Sequence, residues 1–395
     1  MWKWTFLLAG LGALGPFSTD MYFPFFPALS EAFNSAPAAI QQTLTFYLVG
    51  FSAMMPFHGA VADVFGRRRT ILCSLVIFGV ASVLCAFAPS LLLLNIARFG
   101  QGLFAGAGMT VGQAILQERF APVDARRLTA QVTMMFALAP AVAPALGGWL
   151  AQHFSWRVCF IVLAIAGAGL FAGCARILDE SHPREQRIAF GWKSVVLGPW
   201  SLLANPDFVR RSLARAFGLG GLLVYLGAAP DYVLNVLGLS TGEFATLFIP
   251  VVAGIMTGSL ASSRLASRLS TTVQIRIGLA IMLCSGAANF LLAWFIPGRL
   301  PWAVIPCATY AFGTALYLSS ATYEALERFP ARRGSAASML GFVQSLAFAG
   351  ISALVAPLVF HSALRYATAM LCAAVLTWGL SRQWAKADTR EVRLQ

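Results

Sequence analysis

Long apolar segments follow one another along almost the whole of this 395-residue chain. Because an α-helix needs about 20 mostly apolar residues to cross a bilayer, hydropathy predicts twelve membrane-spanning helices. Their predicted limits are 4–29, 41–63, 70–89, 91–117, 128–152, 157–177, 211–236, 243–263, 273–296, 301–325, 335–360 and 363–384. The apolar runs are continuous rather than alternating, and only 11% of the residues are charged. The sequence therefore predicts an all-α membrane protein rather than a barrel or a soluble domain.

Lysine and arginine are concentrated on one side of the predicted helices. That side carries 24 of the 28 basic residues, whereas the opposite side carries only Arg157, Arg299 and Arg365, and Arg98 lies within a helix. Since positive charge accumulates in cytoplasmic loops, we predict that both termini are cytoplasmic. The same distribution accounts for the net charge of +13 as a topology signal, so we expect contact with the lipid bilayer and no nucleic-acid partner.

One long polar stretch interrupts the apolar segments, from Asp179 to about Asp207. It predicts an N-terminal six-helix bundle at 1–178, a cytoplasmic linker at 179–208 and a C-terminal six-helix bundle at 209–395. Two halves of six helices are the plan expected of a transporter built from repeats.

Residues that carry catalytic or metal chemistry are sparse. The seven cysteines contain no Cys-x-x-Cys pair, and the four histidines have no metal-ligand spacing. None of the three lysines belongs to a phosphate-binding G-x-x-x-x-G-K-[ST] loop. We therefore predict no cofactor, no metal site and no enzymatic activity.

A carboxylate, Asp20, lies inside the first predicted helix. A charge at such depth costs at least ~2.5–3.5 kcal/mol, and such residues usually carry a proton or an ion. Asp20 is nine residues from the outer end of its helix, and Arg98 is seven residues from the outer end of the fourth. With a rise of ~1.5 Å per residue the two depths agree to within about 3 Å, so the sequence predicts that Asp20 and Arg98 pair.

The segment after the second helix reads Gly59-Ala-Val-Ala-Asp-Val-Phe-Gly-Arg-Arg-Arg69. It resembles motif A of the major facilitator superfamily, G-x-L-x-D-R-x-G-R-R/K, with Val61 and Val64 as departures. The fourth helix contains Arg98-Phe-Gly-Gln-Gly102, which is similar to the superfamily's motif B. The resemblance implies that a charge cluster locks the cytoplasmic gate. Its predicted residues are Gly59, Asp63, Gly66, Arg67, Arg68 and Glu118.

Two further segments narrow the resemblance. The fifth helix contains Pro140, Pro144, Gly147 and Gly148, a pattern similar to motif C of drug–proton antiporters. The first helix contains Ser18-Thr-Asp-Met-Tyr-Phe-Pro24, which resembles the S-T-D-M-Y-L-P segment of the bicyclomycin/chloramphenicol-resistance group of drug–proton antiporters.

The resemblance implies a major facilitator fold in the inner membrane of a bacterium and proton-coupled efflux of small, largely apolar drugs by alternating access. The expected partners are a small-molecule substrate and protons, and the expected state is a monomer. Asp20 is the predicted proton carrier and Arg98 its partner, because burial disfavours an ionised carboxyl group whereas a nearby guanidinium favours it. The predicted substrate-binding residues are Asp20, Tyr22, Tyr47, Met54, Met134, Met135, Tyr225 and Tyr310.

Some alternatives stay open. The chain could instead export one metabolite, such as a nucleoside, an amino-acid derivative or a siderophore, or it could be an uncoupled facilitator or a sensor. Asp231 is either a solvated cap or a site. Glu324 and Glu327 are expected to form a surface ion network with neighbouring arginines, namely Arg328, Arg332 and Arg333.

Overall fold

The computed structural model describes residues 2–181, 200–329 and 333–382, and every regular element in these ranges is helical. The chain divides into two compact units, Met1–Trp200 and Ser201–Gln395. The segment 182–199, which makes up most of the predicted linker, lies outside the described residues.

The N-terminal unit contains the first six predicted spans. Its helices are α1 (Trp2–Asp20), α2 (Phe26–Ala32), α3 (Pro37–Met54), α4 (His58–Phe65), α5 (Arg67–Ala86), α6 (Leu91–Ala105), α7 (Ala107–Arg119), α8 (Pro122–His153) and α9 (Arg157–Ile177), with a 3₁₀ turn at Phe23–Phe25. The main packing pairs are α3 with α6, α5 with α9, and α1 with α8.

The C-terminal unit contains the other six predicted spans. Its helices are α10 (Pro206–Gly227), α11 (Ala245–Leu265), α12 (Thr271–Phe295), α13 (Ile305–Glu327), α14 (Arg333–Gly350), α15 (Ala356–Val359) and α16 (Ala363–Ser381). Shorter turns lie at Ser201–Ala204, Ala229–Asp231 and Thr241–Glu243, and π-helical turns at Tyr232–Val236 and Ile351–Val355. In this unit α11 and α12 both pack on α13, and α10 packs on α16.

Several predicted spans are broken rather than continuous. The second span bends by 50° between α3 and α4, and the seventh bends by 52° after α10. Pro56 and Pro230 lie at or next to these bends, and a proline cannot donate the backbone hydrogen bond that a continuous helix requires. The first span breaks after Asp20, before Pro24 and Pro27.

Fewer than twelve of the helices in the described ranges are long and apolar enough to be identified as membrane spans by these two criteria alone. In the described ranges, six helices are long and apolar enough to cross a membrane without interruption, and the two bent pairs raise this number to eight. The remaining predicted spans are interrupted or more polar, as in the split between α6 and α7 at Gly106. Several of these more polar helices carry the residues of the candidate site.

Close backbone contacts hold the helices of the N-terminal unit together. A Cβ atom on Gly102 of α6 would collide with the carbonyl oxygen of Tyr47 on α3, and one on Gly50 would collide with that of Phe99. Small residues allow this proximity between membrane helices. The contact places the face of α3 that bears Tyr47 directly against the face of α6 that bears Arg98.

Candidate functional site

Arg98 lies at the centre of the candidate site and has no exposed surface. Its guanidinium carbon lies 4.4 Å from the ring centroid of Tyr47, 4.7 Å from that of Tyr22 and 5.8 Å from that of Phe160. The faces of aromatic rings carry negative potential and stabilise a cation, most strongly when it is removed from water. Three rings from different parts of the unit therefore enclose the charge of Arg98.

Hydrogen bonds connect Arg98 to two further helices. Its Nη1 donates to the carbonyl oxygen of Ser18 on α1 at 3.1 Å and to Oε1 of Gln101 at 2.6 Å. Gln101 in turn donates to the hydroxyl of Ser82 on α5 at 2.8 Å. Nε and Nη2 of Arg98 have no hydrogen-bond partner among the described residues, so two nitrogens of the guanidinium keep their N–H groups unused.

Asp20 is the last residue of α1, and its side chain is partly exposed. Its Oδ1 accepts a hydrogen bond of 2.8 Å from the hydroxyl of Thr19. Asp20 and Arg98 form no ion pair in this conformation, unlike the pairing that their similar depth predicts. The guanidinium instead contacts the Ser18 carbonyl and the aromatic rings, which stabilise it without a carboxylate.

Tyr22 and Tyr47, two of the predicted substrate-binding residues, are buried in this conformation. Their exposed fractions are 0% and 1%. The Tyr22 hydroxyl is hydrogen-bonded to that of Thr43 at 2.8 Å, and the Tyr47 hydroxyl donates to the carbonyl oxygen of Gly15 at 3.1 Å. Direct contact with a substrate would therefore require a different conformation of the unit.

Five of the six predicted gating residues lie around Arg67, the first residue of α5, whereas Arg68 contacts the carbonyl oxygen of Ala175 on α9. Its Nη2 lies 2.6 Å from Oδ1 of Asp63, and its Nε and Nη2 donate to Oε1 of Glu118 at 3.1 and 2.9 Å. Its Nη1 donates to the carbonyl oxygen of Gly59 at 3.4 Å. Gly66 has a φ of +94°, a backbone conformation that favours glycine, and it turns the chain so that Asp63 faces Arg67.

Glu180, an acidic residue that the sequence analysis did not select, also belongs to this cluster, whereas its neighbour Asp179 lies outside it. Oε1 of Glu180 accepts a hydrogen bond of 2.8 Å from the backbone N–H of Arg67, and Asp179 pairs with Arg119 at 2.9 Å. Ser181 donates to Oε2 of Glu118 at 2.7 Å. The sequence signal for these contacts was the acidic pair directly after the sixth span, because it lies on the same predicted side of the membrane as the arginines at 67–69.

The residues of the antiporter motif lie within the long helix α8. Pro144 and Gly148 are buried and Pro140 is partly buried. A Cβ atom on Gly147 would collide with the carbonyl oxygen of Met21, so this glycine allows α8 to pack against the chain that follows Asp20.

The predicted substrate-binding residues include three methionines. Met54, at the end of α3, and Met135, in α8, are partly buried, whereas the side chain of Met134 lies outside the described residues.

Tyr225 and Tyr310 of the C-terminal unit are also buried, to 1% and 0% exposure. Tyr225 packs against Tyr232 and Tyr366, with ring centroids 4.6 and 5.2 Å away. Its hydroxyl accepts a hydrogen bond of 2.6 Å from Asn289. These two predicted substrate residues are thus part of the packed interior in this conformation.

Asp231 is a buried carboxylate whose importance the sequence left undecided. Its side chain is only 5% exposed, and it accepts hydrogen bonds from Asn235 at 2.8 Å, from the backbone N–H of His361 at 2.8 Å and from the Tyr366 hydroxyl at 3.1 Å. Nδ1 of His361 lies 3.1 Å from the same carboxylate. Asp231 is therefore a buried junction between two distant parts of the chain rather than a solvated cap.

Glu324 pairs with Arg211, an arginine that the sequence analysis did not name as its partner. It accepts a hydrogen bond of 3.0 Å from Nη1 of Arg211, whose Nε donates to Asp207 at 2.8 Å. The Arg211 side chain is 4% exposed, so this part of the network is buried rather than a surface feature. Arg332 and the side chain of Arg333 lie outside the described residues.

Comparison with known proteins places the chain in a family. The profile described as Major Facilitator Superfamily matches residues 6–380. The chain is 28% identical over 353 residues to the "Bicyclomycin resistance protein homolog" of Haemophilus influenzae, covering 89% of this chain and 88% of the relative. It is 26% identical over 343 residues to the "Multidrug resistance protein D" of Escherichia coli, covering 86% and 85%.

The fold agrees with that family. The crystal structure of the human organic anion transporter MFSD10 superposes with a TM-score of 0.71 at 16% identity, covering 96% of this chain and 98% of that one. The predicted fold class, an all-α membrane protein with the major facilitator fold, is confirmed, and the matched proteins are transporters rather than enzymes. The chain is a multi-pass membrane transporter and belongs to the Major Facilitator Superfamily.

Proposed function

We propose that this transporter exports small, largely apolar drugs, such as chloramphenicol or bicyclomycin, in exchange for protons that enter the cell. The relatives named for bicyclomycin and multidrug resistance support the substrate class. The distribution of basic residues supports a cytoplasmic position for both termini in a bacterial inner membrane. Arg67, Asp63 and Glu118 form the gating cluster on the cytoplasmic side.

The observation that carries the proton-coupling proposal is the relation of Asp20 to Arg98. Asp20 ends α1 with one hydroxyl donor and no cationic partner in the described ranges. Two residues earlier, the Ser18 carbonyl holds Nη1 of Arg98 at 3.1 Å. A carboxyl group that can lose a proton therefore ends the helix whose Ser18 carbonyl holds a guanidinium, and two nitrogens of that guanidinium have no hydrogen-bond partner among the described residues.

The proposed cycle follows from the competition between these groups. Without a nearby cation, low dielectric favours the neutral acid of Asp20, and Arg98 stays between its aromatic rings. Release of the proton creates a negative charge that attracts the unused donors of Arg98. Because Arg98 also holds Ser18, this movement changes the packing of the end of α1. A bound drug that donates a hydrogen bond to Asp20 favours the ionised carboxylate and therefore promotes release of the proton.

The test measures drug-triggered proton release in energised everted membrane vesicles, with chloramphenicol, bicyclomycin and unrelated apolar compounds. Wild-type protein is expected to release protons with several of these compounds, and Asp20→Asn protein is expected to release none. Asp179→Asn is the matched control, because Asp179 is a surface carboxylate of the same unit, with a side chain that is 75% exposed.

Each result has a defined meaning. Equal proton release from wild type and Asp20→Asn would remove Asp20 from the mechanism. A response to one compound alone would replace multidrug export with export of a single metabolite class. Drug flux that ignores an imposed pH gradient would replace proton exchange with facilitated diffusion.

A further inference from the structure

A groove of about 610 Å³ lies on the N-terminal unit, lined by residues of α5 and α9. Arg68 and Arg69 lie at one end of its α5 wall, and Leu72, Val76 and Ile77 continue that wall. Val76 and Ile77 are 49% and 40% exposed. Residues three and four apart share one face of a helix, so α5 presents two positive charges above an apolar stripe.

The three successive arginines at the start of α5 have different surroundings. Arg67 is occupied by Asp63 and Glu118, whereas Arg68 and Arg69 line the groove. Nη2 of Arg68 donates to the carbonyl oxygen of Ala175 at 2.8 Å, and its buried Nε has no partner among the described residues. The bond to Ala175 fixes the Arg68 side chain against α9, and Arg69 is the exposed arginine of the pair.

The charge of the groove favours an anion with a single negative charge. Two guanidinium groups and the Glu180 carboxylate line it, which gives a formal charge of about +1 with arginine always protonated. One oxygen of Glu180 is already hydrogen-bonded to the backbone N–H of Arg67 at 2.8 Å. Arginine donors match the oxygens of a phosphate group.

We propose that this groove binds a phospholipid with a singly charged phosphodiester headgroup, such as phosphatidylglycerol, from the membrane leaflet next to the arginine-rich loops. The phosphate lies at Arg68 and Arg69, and an acyl chain covers the apolar stripe. The stripe favours a lipid over a free phosphate, because it continues for about 12 Å from Arg69 to Ile77 at 1.5 Å per residue. A soluble anion would leave that surface uncovered.

The first experiment counts bound lipid by native mass spectrometry of the full-length protein, transferred from nanodiscs of phosphatidylcholine with added phosphatidylglycerol. A basic residue near the membrane surface contributes about 1 kcal/mol to binding an anionic lipid, so Arg69→Gln is expected to weaken retention about fivefold and R68Q/R69Q about 25-fold. The control is R264Q/R268Q, which removes two exposed arginines elsewhere. It is expected to retain the lipid as wild type does.

A second experiment uses the wild-type protein and needs no variant. Cys73 lines the groove, and Cys73, Cys284 and Cys372 are the exposed cysteines among the described residues. Phosphatidylglycerol is expected to slow the reaction of Cys73 with an uncharged maleimide and to leave the other two unchanged. Mass spectrometry of the labelled peptides measures the three rates side by side.

Three results would overturn the proposal. One is equal loss of lipid in R68Q/R69Q and R264Q/R268Q, which would show a general charge effect. Another is equal protection of Cys73 by phosphatidylcholine, which would show an apolar groove without headgroup selection. The third is protection by inorganic phosphate alone, which would make the groove an anion site rather than a lipid site.

Discussion

The guanidinium carbon of Arg98 lies 4.4 Å from the ring centroid of Tyr47, and neither side chain reaches solvent. The cation that the sequence marks as a partner for a carboxylate is thus enclosed by aromatic rings in this conformation. Such contacts contribute about 2 kcal/mol when the cation is desolvated. Movement of Arg98 toward Asp20 has to overcome this attraction. Tyr47 therefore helps to determine whether Arg98 stays between the aromatic rings or pairs with ionised Asp20 in the proposed coupling.

Two substitutions at Tyr47 separate the ring from its hydroxyl. Tyr47→Phe keeps the ring and loses the hydrogen bond to Gly15, so the free energy of unfolding is expected to fall by about 0.5–1.5 kcal/mol. Tyr47→Leu also loses the cation–π contact, and we expect a further loss of about 0.5–2 kcal/mol. Denaturant titration in mixed detergent micelles measures both values. If the two variants were equally stable, the ring would contribute nothing to holding Arg98.

A double-mutant cycle checks the assignment to Arg98. In an Arg98→Met background, the difference between Tyr47→Phe and Tyr47→Leu is expected to shrink by about 0.5–2 kcal/mol, because the cation is already absent. An undiminished difference would assign the effect to packing with other neighbours, such as Phe51, whose ring is stacked on Tyr47 with a centroid distance of 6.3 Å.

The Arg67–Glu118 contact gives a second prediction. Glu118→Ala leaves the Arg67 guanidinium with Asp63 and the longer contact to the Gly59 carbonyl oxygen, and it removes the acceptor of Ser181. The free energy of unfolding is expected to fall by about 1–3 kcal/mol, because the Arg67 side chain is only 9% exposed. Asp179→Ala, which breaks the exposed pair with Arg119, is expected to cost about 0–1 kcal/mol. The same titration compares the two variants, and equal losses would show that the cluster is no stronger than a surface pair.

Proximity within the cluster around Arg67 follows largely from the sequence. Asp63 and Arg67 are four residues apart across a glycine turn, so a local motif is enough to place them together. Glu118 ends the fourth span on the predicted side of the same loop. Motif resemblance therefore indicates which charged groups lie near each other when the chain itself restricts where they can be.

The surroundings of Arg98 could not be predicted in the same way. Tyr22, Tyr47 and Phe160 belong to three separate segments, and hydropathy shows that each segment is apolar without showing which face of its helix turns toward Arg98. A cation in the membrane suggests a carboxylate partner by charge alone. The energy of aromatic faces has no equivalent signal in the sequence, which is why the predicted pair with Asp20 differs from the observed contacts.

Helix bends could be predicted from the sequence, whereas a contact between distant parts of the chain could not. Prolines mark the bends near Pro56 and Pro230, since each lacks a backbone donor. The contact between Asp231 and His361 joins residues that are 130 positions apart. It depends on how the seventh and eleventh predicted spans pack, which neither composition nor periodicity specifies.

The buried Asp231 carboxylate gives a third prediction. Asp231→Ala leaves the donors of Asn235, Tyr366 and the His361 backbone without this acceptor, so the free energy of unfolding is expected to fall by about 1–3 kcal/mol. His361→Asn keeps the backbone N–H and tolerates the φ of +60° found at this position. Since the His361 side chain is 64% exposed, we expect a loss below about 1 kcal/mol. Thermal unfolding of the two purified variants compares these losses. If His361→Asn lost more stability than Asp231→Ala, the stabilisation would come from the His361 side chain rather than from the Asp231 carboxylate.

Two glycines in one helix provide the sharpest comparison of packing. A Cβ atom on Gly102 would collide with the Tyr47 carbonyl oxygen, whereas one on Gly100 would meet no atom within 4 Å. Gly102→Ala is therefore expected to force α3 and α6 apart and to lower the free energy of unfolding by about 1–3 kcal/mol. Gly100→Ala is expected to be neutral or to raise it by about 0.5–1 kcal/mol, because alanine is the better helix former.

The same pair of variants also tests the link between packing and the candidate site. Displacement of α3 moves Tyr47 away from Arg98, so Gly102→Ala is expected to impair drug-triggered proton release as well as stability, whereas Gly100→Ala keeps both. A Gly102→Ala protein that was destabilised but transported normally would show that the approach of these two helices serves only folding. Equal stability of the two variants would mean that α3 and α6 adjust to an added methyl group, and the position of Arg98 between its rings would then rest on its hydrogen bonds to Ser18 and Gln101.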